Sequence, residues 1–203
     1  MDINLFPTKW NLILAKNSLR LANQGYELLD RKRQILIREM MELIDKAKEV
    51  QAHIDQTFKQ AYEAVQAANI MQGISSVEQI SYAIPEEKGI KIQMRSIMGV
   101  ELPVVRLEKS EVKYNYGFYR TGSALDTAFF KFQLVKELII ELAEIENAIY
   151  RLAINITKTQ KRVNALKKIK IPSFENIVKT IQNTLEEKER EEFARLKIIK
   201  KTH

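Results

Sequence analysis

The residue types that do chemistry are scarce in this chain of 203 residues. His53 and His203 are its only histidines, and neither stands at a metal-ligand spacing or in a catalytic arrangement. There is no cysteine, which excludes a disulfide framework and cysteine-ligated zinc and fits a reducing compartment. No glycine-rich phosphate loop occurs. Adjacent carboxylates such as Glu191 and Glu192 read more simply as a solvated helix face than as an acid and base. The residues therefore point to no catalytic site, no cofactor and no metal.

Charge is the other chemical signal. The formal net charge is +7, and residues 158–203 carry 13 Lys and Arg against 6 Asp and Glu, so the excess sits in the C-terminal quarter. A basic helix can bind nucleic acid through phosphate charge. This one also holds Glu186, Glu187, Glu189, Glu191 and Glu192 and lacks the interleaved aromatic residues of a single-strand binder. It reads as a solvated or protein-facing surface, with no nucleic acid partner.

The elements that must position these residues are long helices. From Leu12, steps of three and four land on Ala15, Leu19, Ala22, Tyr26, Leu29, Arg33, Leu36, Met40, Leu43, Ala47, Val50, Ile54, Thr57, Ala61, Ala64, Ala68 and Met71. Only Arg33 and Thr57 are polar. A seam that repeats every 3.5 residues faces one partner helix only when the two wind into a left-handed coiled coil. At 1.5 Å per residue such a helix is about 90 Å long, a rod rather than a globule. It is expected to start between Pro7 and Thr8, with Thr8 as cap, and to stop near Gly73. Its seam narrows to Ala61, Ala64 and Ala68, where two backbones can come close.

The partner helix follows later in the same chain. Ala128, Lys131, Val135, Leu138, Leu142, Ile145, Ile149, Leu152, Ile156, Thr159, Val163 and Leu166 repeat the spacing. Pro172 predicts a kink or short break, after which Phe174, Val178, Ile181 and Leu185 resume the stripe. Beyond Leu185 only Phe193, Leu196, Ile198 and Ile199 remain apolar, set among charges.

Residues 73–122 differ in kind. A short helix over 75–83, opened by Ser75 or Ser76, is expected. The alternating runs Ile90, Ile92, Met94 and Val100, Leu102, Val104, joined by about four residues ending in Gly99, predict a β-hairpin over residues 90–107. Tyr114, Tyr116, Phe118 and Tyr119 are expected to pack that hairpin onto the end of the coil. The fold class is thus all-α: a long antiparallel two-helix left-handed coiled coil with a short β-hairpin in the connecting middle segment. Its divisions are residues 1–72, 73–122 and 123–203, with both termini at one end. No apolar run approaches membrane-span length, and residues 1–8 lack a signal-peptide layout, so the expected location is cytoplasmic.

Several blocks in order resemble one family, the D subunit of the V-type and A-type rotary ATPases and ATP synthases. They are Pro7-Thr8-Lys9; Gly25-Tyr26-Glu27-Leu28-Leu29 followed by Arg31-Lys32-Arg33; Arg162-Val163-Asn164-Ala165-Leu166; Ile171-Pro172; and Leu185-Glu186-Glu187 with Glu189-Arg190-Glu191-Glu192-Phe193. The resemblance implies a non-catalytic central rotor shaft. Both termini would enter a hexameric head of catalytic A and B subunits, the small F subunit of the stalk would pack on the coil, and the lower end would sit on the funnel-shaped C or d subunit above the membrane ring. On that view Lys9, Gly25, Arg190, Phe193, Arg195 and Leu196 meet the head, and Ile92, Met94, Leu102 and Tyr116 meet the lower stalk. Two other classes compete: a prefoldin-like coiled-coil chaperone, which would need exposed apolar coil tips and a shorter chain, and a nucleic-acid-binding helical arm.

Overall fold

The computed structural model describes residues 6–84, 89–107, 116–117 and 121–202. Its first helix, α1, runs Lys9–Gln72 without interruption. Thr8 caps it, its hydroxyl accepting from the Asn11 backbone N–H at 3.2 Å. Gly73, at φ +83°, ends it and in the same step opens α2 (Ile74–Ser81), since its carbonyl accepts from the N–H groups of Ser76 and Val77. No side chain caps α2. The expected role of Ser75 or Ser76 is therefore taken by the Gly73 backbone, whose positive φ aims the carbonyl along the new helix.

After the hairpin come α3 (Ser123–Ala165), a π-helical turn over Leu166–Lys170, and α4 (Ile171–Thr202). Pro172 makes no break. In a continued α-helix its ring would collide with the carbonyl one turn earlier. The preceding turn is widened instead, with the Ile171 N–H bonded to the Leu166 carbonyl five residues back. The helical path thus passes the proline at the expense of one irregular turn.

The described residues group into two units, Met1–Ile35 with Ile156–His203, and Leu36–Asn155. In the first, α1 runs antiparallel to the chain's C-terminal helical part: Lys9 pairs with Glu189 and Arg33 bonds Gln160. Ala15, Thr159, Val163, Val178 and Ile181 are buried there. The polar seam position is satisfied in part, its two terminal nitrogens bonded and its Nε buried without a hydrogen-bond partner. Arg33 donates to Gln160 Oε1 at 2.5 Å and pairs with Asp30 at 2.7 Å, and Gln160 in turn donates to Asn164 at 3.0 Å.

In the second unit the pairing is again antiparallel, with Lys131 donating to Gln60 at 2.7 Å and the rings of Tyr62 and Phe132 meeting edge to face. Leu36, Ile54, Ala61 and Ala68 from α1 and Ala128, Val135, Ile145 and Leu152 from α3 are buried. Every seam position read from spacing is buried or half-buried except Met71, which is 73% exposed. Ala68, Tyr116 and Leu125 form a small cluster with Val77, Ile80, Ala124 and Phe129 around it.

The hairpin pairs β1 (Ile90–Ile97) with β2 (Val100–Leu107), antiparallel and in register from Ile90 opposite Leu107 to Ile97 opposite Val100. Its loop is two residues, Met98 and Gly99, rather than four. Both have positive φ, +50° and +73°, as the tight primed turns matching strand twist require. Ser96 and Ile97 therefore belong to the strand.

Ala61 has no exposed surface and sits in the stretch bracketed by the Gln60–Lys131 and Tyr62–Phe132 contacts. Ala61→Leu should overpack the seam and lower stability by about 1–3 kcal/mol. Urea denaturation followed by helical circular dichroism measures this, and an unchanged midpoint would contradict the register.

Candidate partner-binding surfaces

Among the described residues no group of three or more His, Asp or Glu could hold a metal ion. What the chain offers instead is surface. At the end of α4, every residue from Glu186 to Lys201 is exposed. Phe193 is 71% and Leu196 65% exposed, with Ile198 and Ile199 beside them. The charged neighbours form solvated pairs one turn apart, Arg190 with Glu186 and Arg195 with Glu191, each at 3.8 Å. Such pairs hold a helix by only about 0.3–0.5 kcal/mol each. Lys9 meets Glu189 at 3.2 Å, an equally exposed contact.

Gly25 is different. An added Cβ there would lie 3.9 Å from Leu166 Cδ1 of the same chain, an ordinary contact distance. It thus faces its own partner helix. Spacing alone did not single out the exposed row beside it, Trp10, Leu14, Leu21 and Leu28 on the outer side of α1. The signal was present as a seven-residue recurrence of leucine at 14, 21 and 28, each one position before a seam residue.

In the second unit the two strands are unequal. β1 is exposed almost throughout, while β2 buries Val100, Leu102 and Pro103. The outer edge of β2 is fastened to α3: the Val105 N–H donates to Glu144 Oε2 at 2.7 Å, and Arg151 donates to the Glu101 carbonyl at 3.2 Å. Of the four residues expected at a lower contact, Ile92 and Met94 are 63% and 55% exposed, whereas Leu102 and Tyr116 are 5% and 8% exposed. Leu102 lies in the hairpin's inner face. Tyr116 packs into the Ala68–Leu125 cluster and donates to Asp126 Oδ1 at 2.7 Å, so it fastens the start of α3 rather than the hairpin. Tyr114, Phe118 and Tyr119 lie outside the described residues. Ile70, Met71 and Ile74, at the junction of α1 and α2, form a further exposed apolar set; periodicity placed Met71 on the seam and did not reveal Ile70 or Ile74.

Two substitutions test this geometry. Gly25→Ala adds a methyl in ordinary contact with Leu166 and removes a helix-interior glycine, so the melting temperature should rise, by the equivalent of about 1 kcal/mol. Glu144→Ala strands the half-buried Val105 amide and should weaken docking of the hairpin by about 1–3 kcal/mol. Faster amide exchange in β2, with α1 unchanged, is the expected reading.

The sequence matches the family model described as the ATP synthase D subunit over residues 11–201. It is 48% identical to the D subunit of the V-type ATP synthase of Thermotoga neapolitana over 98% of both chains. To the D subunit of the A-type ATP synthase of Methanobrevibacter smithii it is 40% identical, over 97% of this chain and 86% of that one. The corresponding A-type D subunit of Pyrococcus furiosus is 38% identical, over 96% of this chain and 92% of its own length. With the family match spanning both long helices and the hairpin between them, the chain belongs to the ATP synthase D-subunit family.

Proposed function

We propose that this chain is the central rotor shaft of a V/A-type rotary ATPase, transmitting torque between ATP turnover in the catalytic head and ion translocation through the membrane ring. It performs no chemistry itself. The observation that carries the reading is the end of α4. An amphipathic helix is held chiefly by what it packs against, yet every residue from Glu186 to Lys201 is exposed, Phe193, Leu196, Ile198 and Ile199 included. Such a segment calls for a surrounding sleeve. In this family that sleeve is the hexamer of catalytic A and B subunits, and Lys9, Arg190 and Arg195 supply charged contacts at the same end.

The other exposed apolar sets suit the lower stalk. Ile92 and Met94 on the hairpin, and Ile70, Met71 and Ile74 at the α1–α2 junction, are assigned to the small F subunit and the funnel-shaped C or d subunit. No helix of the described residues is long and apolar enough to cross a membrane. The chain would join the membrane ring through the funnel, as a peripheral component on the cytoplasmic side. Two helices with interlocked seams resist twisting better than one, which is what a torque-bearing element needs.

The test is the double substitution Phe193→Asp and Leu196→Asp. Because both side chains are exposed in the free protein, its melting curve should stay within about 0.5 kcal/mol of the parent. In the reconstituted motor the same variant should insert poorly into the head and slow ATP-driven ion pumping. Parental pumping rates, or unfolding of the free chain, would overturn the reading.

A further inference from the structure

We propose that the open edge of β1 is a docking site for one extended strand of a partner protein of the stalk, which would add to the hairpin as a third strand. Each strand of the hairpin has already used half of its backbone groups. With a two-residue loop, Ile97 and Val100 form a hydrogen-bonded pair, and pairs then alternate along the ladder. Lys91, Gln93, Arg95 and Ile97 turn their N–H and C=O groups inward to β2. Ile90, Ile92, Met94 and Ser96 turn theirs outward. The same parity sends the groups of Glu101, Pro103 and Val105 outward from β2, and that is where the structure finds the Arg151 and Glu144 contacts. Pro103 has no N–H to offer at all.

The two edges are therefore treated differently. The β2 edge is closed by a carboxylate, a guanidinium and a proline. Along β1 no such contact reaches the backbone, although the Arg151 guanidinium also donates to the Met94 sulfur at 4.0 Å, and among the described residues β1 pairs with β2 alone. An open row of donors and acceptors is a template for an extended chain. Side chains define the rest of the occupant. Ile92 and Met94 belong to the residues whose backbone groups point outward, and their side chains are exposed on one face, while Lys91 and Arg95 stand exposed on the opposite face. A strand beside them fits when apolar and acidic residues alternate, the apolar ones covering Ile92 and Met94 and the acidic ones lying beside the two cations.

A second copy of the hairpin is a poor occupant. In the antiparallel register that lays Ile92 of one copy against Met94 of the other, Lys91 of one lies opposite Arg95 of the other, and like charges directly opposed are unfavourable. The occupant is thus a different chain, and the inference rests on the stalk reading above for the assembly in which that chain is found.

The experiment is hydrogen–deuterium exchange resolved to single amides, on the free full-length chain and on the rotary complex purified through a tag on this chain. In the free chain the amides of Gln93, Arg95 and Ile97 should be slow and those of Ile92, Met94 and Ser96 fast. In the complex the second set should slow at least tenfold. Ile92→Pro, which mirrors Pro103 at a position outside the β1–β2 ladder, should abolish the added protection of Met94 and Ser96. Ile92→Lys keeps the backbone donor but removes the apolar cover, and should reduce the protection without disturbing the free hairpin. Equal exchange of Ile92, Met94 and Ser96 in both states overturns the inference and leaves the stalk reading intact. Protection that grows with concentration of the free chain assigns the edge to a second copy and overturns it as well. A chain that recovers no ATPase subunits at all removes the stalk reading, and the docking site with it.

Discussion

A helix paired with one other helix can hide only the stripe that faces its neighbour. That geometric limit governs this protein. Along α1 the stripe is one residue every three or four, and most of its members are half-buried rather than fully enclosed. Four members of the stripe have no exposed surface, Leu36 and the small Ala15, Ala61 and Ala68, whose short side chains let the facing backbone come close. Much outside the stripe stays wet, including Trp10, Leu21, Leu28, Met41 and Ile70. In a layered globule a third element would cover such residues. Here they remain available, and scattered exposed apolar groups become informative where they gather at element ends or recur along one face.

The hairpin is constrained in a related way. Two strands alone are marginal in water, so this pair is held from one side, by Val100 and Leu102 packing inward and by Glu144 and Arg151 reaching the β2 backbone. Support from one side necessarily leaves the far strand uncovered. The asymmetry of the hairpin is thus a consequence of how it is anchored, and so is the surface it presents.

How far these features were legible depends on which physics encodes them. The seam was readable because burial between two helices imposes a 3.5-residue period that few other arrangements share. Register in the hairpin was not. Met98 sits at positive φ, where a methionine is uncommon, so the turn was placed over four residues instead of two. The apolar runs of β1 and β2 also looked equivalent. The pairing shows that they are not: Ile92 lies opposite Val105 and Leu102 opposite Arg95, so Ile92 and Met94 occupy one face while Val100, Leu102 and Val104 occupy the other. Alternation identifies two faces per strand and is silent on which face meets the helices. Tyr116 was misplaced for a similar reason, since its hydrogen bond to Asp126 depends on a tertiary approach that no local pattern announces.

A repeat this regular raises the question of what stops the two helices from sliding. Displacing one helix by seven residues restores the apolar seam, so hydrophobic burial alone discriminates weakly between registers. The polar positions discriminate better. Arg33 keeps the Asp30 carboxylate of its own helix in any register, but only in the observed one does it find the Gln160 side-chain carbonyl. A slide of seven in one direction would set Arg33 against Ala153, which has no side-chain acceptor, and in the other direction against the cation of Lys167. Either leaves a half-buried guanidinium without its long-range partner, at a cost of about 1–3 kcal/mol or more for a charged group. A single polar layer thus specifies alignment in a seam that is otherwise nearly periodic. For a shaft of the kind proposed this matters directly, since torque applied to a pair of helices that could slip past one another would be dissipated in the slip.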